Sequence, residues 1–116
     1  MLAKLVGSPL QTTNGLNSDN EVSGANLPVA IVKTPQEDRI WILDFVQYSY
    51  NKAEVIGGLT VKDGDKVVFD IDIVQPSGSF SFYIPASPGK DLSITLKPGG
   101  AAIIGKLNTQ CHLEYT

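Results

Sequence analysis

The stretch that most limits the fold is Lys66–Val74, KVVFDIDIV. Val67, Phe69, Ile71 and Ile73 alternate with Val68, Asp70, Asp72 and Val74, the period of two of a half-buried strand. Asp63-Gly64 precedes it, a dipeptide that tolerates positive φ and turns a hairpin from Leu59–Lys62. Gln75-Pro76-Ser77-Gly78 interrupts the run, and Phe80, Phe82 and Ile84 resume the alternation. A chain with this centre folds as antiparallel sheet.

The flanks repeat the pattern. Pro28–Lys33 (PVAIVK) predicts a short strand and Arg39–Tyr50 (RIWILDFVQYSY) the longest one, because β-branched and aromatic residues dominate both. In the longer run Trp41, Leu43 and Phe45 fall on one face and Ile40, Ile42, Val46, Tyr48 and Tyr50 on the other. Two apolar faces predict cover on both sides, from the core and from a neighbouring subunit. Leu92–Leu96 and Lys106–Tyr115 alternate cleanly. Seven to nine strands with regular turns predict an all-β antiparallel sandwich of jelly-roll type over residues 27–116. Residues 1–26 read differently. Met1–Val6 could form a short strand. The polar run after it carries isolated Leu10, Leu16 and Val22 and cannot build its own core. These residues are expected to form an extended arm or leader, with the three apolar side chains as partner anchors.

At 116 residues the chain fits one domain. Twelve acids against nine scattered Lys and Arg give a net charge of −3, with no basic stripe to replace phosphate counterions, which argues against direct nucleic-acid binding. No apolar run of about 18 residues is present to span a membrane. The single Cys111 has no partner within the chain for a disulfide. Charged residues make up only 18% of the sequence, below the usual quarter, as expected if part of the surface is covered.

Catalytic patterns are weak. His112 adjoins Cys111, but neighbours in a strand point to opposite faces, so the two cannot act as a nucleophile–base pair. Asp70 and Asp72 share a face at about the spacing of glycosidase carboxylates, yet acids on an exposed strand also block edge-to-edge pairing. Asp63-Gly64-Asp65 lacks the later ligands of a calcium loop. Zinc spacing and phosphate-binding glycine loops are absent. The expectation is a protein that is not an enzyme and needs no cofactor. Trp41, Tyr48, Tyr50, Tyr83 and Tyr115 could line a carbohydrate face, but aromatics serve equally in a core or a subunit interface.

GGLTVKDGDKVVFDIDI, with SGSFSFYIP, LSITLKPGG and IIGKLNTQCHLEY, resembles small virion proteins of tailed bacteriophages across about Trp41–Tyr115. The resemblance implies a capsid decoration, or cement, protein on the head surface. It implies the major capsid protein and further copies of itself, as a homotrimer, for partners. Leu10, Leu16, Val22, Trp41, Tyr48 and Tyr50 are the candidate contact residues. The alternative is a carbohydrate-binding module of a phage tail or fibre.

Overall fold

The computed structural model describes residues 17–116. The expected strand Met1–Val6 and the anchors Leu10 and Leu16 lie outside the described residues. The fold is an all-β sandwich of two four-stranded antiparallel sheets. Its strands are β1 (Asn17–Val22), β2 (Val29–Lys33), β3 (Arg39–Tyr50), β4 (Gly57–Asp63), β5 (Lys66–Ile73), β6 (Ser77–Pro85), β7 (Leu92–Leu96) and β8 (Gly105–Tyr115). One sheet runs β1-β8-β3-β6 and the other β2-β7-β4-β5. Every connection except the β4–β5 hairpin therefore passes between the sheets, an order consistent with the jelly-roll expectation. Gly64 takes positive φ in that hairpin.

The core follows from the alternation. Leu59, Val61, Leu92, Ile94 and Leu96 of one sheet face Trp41, Leu43, Val46, Leu107, Cys111 and Leu113 of the other. Burying each Leu or Ile contributes about 2–3 kcal/mol in water-to-interior transfer, so these two facing rows supply most of the drive to stack the sheets.

Two bulges change the faces read from simple alternation. In β3, Leu43 pairs with Cys111 and Phe45 with Gln110, so Asp44 is an extra residue. The bulge shifts the phase by one. Trp41 and Leu43 before it, and Val46, Tyr48 and Tyr50 after it, all enter one core, while Phe45 stays outside that cluster. The apolar residues are therefore divided differently from simple alternation: five point into the core, and Ile40, Ile42 and Phe45 are left on the second face, where Ile42 is fully buried. In β5, Val61 pairs with Phe69 and Lys62 with Val67, leaving Val68 extra. Val67 therefore leaves the inward row that Phe69, Ile71 and Ile73 keep.

The polar segment Asn17–Val22 is a strand and not a free arm. It pairs along β8 from Asn17↔Cys111 to Val22↔Lys106. Its sequence, NSDNEV, has no alternation to announce this. Backbone pairing with β8 places it, together with Asn108 Nδ2 donating to Asn20 Oδ1 at 2.5 Å.

Candidate interaction surface

The two sides of the sandwich end differently. On the β1/β2 side, Lys33 Nζ of one sheet meets Asp19 Oδ2 of the other at 2.7 Å. The same ammonium lies 4.3 Å from the Trp41 ring centroid, and Trp41 Nε1 donates to the Thr34 carbonyl at 2.8 Å. This clasp seals the side, because it crosses between sheets and fixes a large ring beneath it.

On the opposite side aromatic rings meet between the sheets. β5 and β6 are the edge strands of their sheets. Phe69 of β5 packs edge-on against Phe82 and Phe80 of β6, with centroids 4.9 and 5.7 Å apart. Phe80 continues inward to Tyr48 at 6.3 Å. Such pairs contribute about 0.5–1.5 kcal/mol each beyond area burial. The rings stay half-buried. Ile71 points inward opposite Leu59 yet is 39% exposed, because among the described residues no strand lies beyond β5. Val67 and Val68 add further exposed apolar surface on the same strand. An edge with unpaired backbone groups and an uncovered apolar flank is suited to accepting an added strand.

A polar cluster occupies the outer face of the β1-β8-β3-β6 sheet. His112 Nδ1 is 2.5 Å from Asp44 Oδ2, and its Nε2 is 2.8 Å from Glu114 Oε2. The Tyr83 hydroxyl donates to Glu114 at 3.0 Å. Partial burial pulls the His112 pKa down, but the ring's hydrogen bonds to the Asp44 and Glu114 carboxylates outweigh it and hold the pKa above the usual imidazole value. His112 holds the Glu114 carboxyl below its ordinary value, helped by Tyr83, while Glu114 pushes the Tyr83 phenol up. With a carboxylate on each nitrogen, the ring is built to be an imidazolium that ties β3, β8 and β6 together. Asp44, the bulge residue two positions after Ile42, which pairs with His112, lies on the same outer face as the ring.

The other sequence candidates fall in varied places. Val22, at the end of β1, is 60% exposed. Trp41, Tyr48 and Tyr50 are buried, and Tyr50 donates its hydroxyl to the Lys97 carbonyl at 2.7 Å. The expectation of exposed contact residues is corrected: Trp41 faces the core before the β3 bulge, and the bulge brings Tyr48 and Tyr50 after it to the same side. Burial also raises the Tyr48 and Tyr50 phenols. Cys111 is fully buried and its thiol is pushed up to about 12 by desolvation, which leaves it unreactive. Asp70 accepts from Thr60 at 2.8 Å and pairs with Lys97 at 3.2 Å, and these two contacts hold its carboxyl below the usual range. Asp70 is thus tied to structural partners. Sequence reasoning missed Phe69, Ile71, Phe80 and Phe82 as surface residues. Their alternation was visible, but the edge position that exposes them depends on strand order.

No family model matches the chain, and no curated protein matches it. Among solved structures it is similar to TmCBM61, a module seen in complex with β-1,4-galactotriose, at 10% identity and a TM-score of 0.42, covering 88% of each chain. It is similar to a structure of Bacillus endospore appendages, disulfide-linked pili, at 15% identity and a TM-score of 0.41, covering 85% of this chain and 88% of that one. A third similarity is to FlhE, at 11% identity and a TM-score of 0.39, covering 84% of this chain and 96% of that one. Similarity at this level carries no argument about what the chain binds.

Proposed function

We propose that the chain is a structural protein that works by protein–protein contact, as a decoration protein on the head of a tailed bacteriophage. One observation supports the contact role: the open β5/β6 side, where Phe69, Ile71, Phe80 and Phe82 are incompletely covered beside two unpaired strand edges. The choice of a phage head rests on the resemblance of the Trp41–Tyr115 stretch to small virion proteins. A protein of this kind needs a rigid body and a partner surface, and no reaction. The test is co-sedimentation with purified phage heads stripped of their outer decoration. The reading expects saturable binding in a fixed ratio to the major capsid protein, and loss of binding in Ile71→Asp. Heads that pellet without the protein at saturating concentration would overturn it.

A second reading, a carbohydrate-binding module of a tail or fibre, is favoured by Tyr83. Its ring is 63% exposed on a flat sheet face, beside the Glu114 carboxylate that can accept from sugar hydroxyls. It expects glycan binding that Tyr83→Ala abolishes. A glycan array without hits would remove it.

A further inference from the structure

β1 and β2 are the edge strands on one side of the sandwich, and they are fixed by different means. β2 anchors itself with Val29 and Ile31, both buried between the sheets. β1 buries no side chain fully: five of its six residues are exposed and Asp19 is partly buried. Burial of apolar surface is the main force that fixes a strand to a sandwich, and β1 draws almost none of it. Backbone pairing with β8 holds β1 in place, aided by the Lys33–Asp19 ion pair and the Asn108–Asn20 hydrogen bond. Water competes for both side-chain contacts, because Asp19 is 39% exposed and both asparagines lie at the surface.

The connection from β1 to β2 is fastened separately. The Ser23 amide donates to the Gly105 carbonyl at 2.8 Å, and the Gly105 amide donates back to Ser23 Oγ at 2.8 Å. The Asn26 amide donates to the Ile103 carbonyl at 3.0 Å, with Asn26 itself in the left-handed region at φ 54°. β1 is thus a short polar strand on a fixed pivot. Lifting it removes no residue from the core cluster, which contains none from β1. It uncovers the β8 backbone and the Lys33 ammonium over the Trp41 ring.

We infer that β1 is a strap that opens on its own while the other seven described strands stay folded, with Lys33–Asp19 as its latch. Opening turns β8 from an inner strand into an edge, so the sandwich gains a further edge to which a strand can be added. The device is separate from the β5/β6 side and does not rest on the decoration reading.

β8 reports the motion, because its backbone groups point alternately to its two neighbours. Ser23 bonds to Gly105 on the β1 side, and the Asn51 amide donates to the Ile104 carbonyl on the β3 side. Continuing the alternation, the Thr109 and Cys111 amides face β1, and the Asn108 and Gln110 amides face β3. The test is native-state hydrogen exchange of the full-length chain, read residue by residue by NMR at several low urea concentrations. It is run where reclosing outruns chemical exchange, and rates are corrected for intrinsic exchange. Thr109 and Cys111 should exchange at least about 30-fold faster than Asn108 and Gln110. Their rates should change little with urea, because strap opening exposes little surface, while the other pair should show the steep dependence of whole-domain unfolding.

Two variants separate the motions. Val61→Ala weakens a core that the closed and opened forms share, so it should speed Asn108 and Gln110 severalfold and leave Thr109 and Cys111 unchanged. Asp19→Asn weakens the closed form alone, so it should speed Thr109 and Cys111 severalfold. One rate and one urea dependence for all four amides would overturn the inference. So would Val61→Ala speeding both pairs alike, which ties β1 to the whole domain, or Asp19→Asn leaving Thr109 and Cys111 unmoved, which removes the latch.

Discussion

Replacing Asp44 with Asn removes a charge from the bulge while keeping its size. In the folded protein Asp44 and Glu114 raise the His112 pKa. A raised folded pKa contributes stability that is fully present below the unfolded imidazole value, near 6.5, and is lost as pH rises through the folded value. The bond is short, at 2.5 Å, and its side chains are 21% and 26% exposed, so solvent screens it in part. Hydrogen bonds between charged groups contribute about 1.5–3 kcal/mol, and partial exposure places this one toward the lower end, at about 1.5 kcal/mol. Asp44→Asn should therefore lower stability by about 1.5 kcal/mol at pH 6, roughly 6 °C in Tm for a domain of about 100 residues. At pH 9, with the ring neutral in both proteins, the difference should fall to less than half. Urea unfolding of both proteins at the two pH values, followed by tryptophan fluorescence, measures it. An equal loss at both pH values, or none at pH 6, would refute the imidazolium clasp.

Other outcomes follow from packing. Gly57→Ala should destabilise the fold by about 1–3 kcal/mol, because a Cβ there collides with the Tyr50 hydroxyl, itself held on the Lys97 carbonyl; chemical denaturation checks it. Cys111 should resist a thiol reagent at pH 8 until the protein unfolds, then react within the time of unfolding. Leu59→Ala, at a fully buried position between the sheets, should cost about 3 kcal/mol in the same denaturation assay.

The strands were legible wherever side chains alternate. Arg39–Tyr50 and Leu92–Leu96 were readable to the residue, because alternating apolar positions carry the sheet signal directly. The faces were less legible. A bulge inserts one residue without a composition signal, so Trp41 and Tyr48, on opposite faces by simple alternation, share one face in the structure, and a core strand looked like an interface. Asn17–Val22 was invisible as a strand because its pairing with β8 uses backbone groups that any residue carries. The open side was hidden for a different reason. Phe80 and Phe82 read as one face of an alternating strand, and only the strand order, which local pattern does not encode, places β5 and β6 at sheet edges. The His112 cluster shows the same limit: its acids come from positions 44 and 114, and only the β3–β8 register brings Asp44 to the ring.

The account stands most directly on the claim that the β5/β6 side is an assembly surface. The measurement is the solution mass of the full-length protein by light scattering after size exclusion, over a wide concentration range and beside Ile71→Asp. The account predicts three times the mass of one chain for the native sequence and the mass of one chain for the variant. A native protein that stays at the mass of one chain throughout, or a variant that assembles as the native one does, would contradict it.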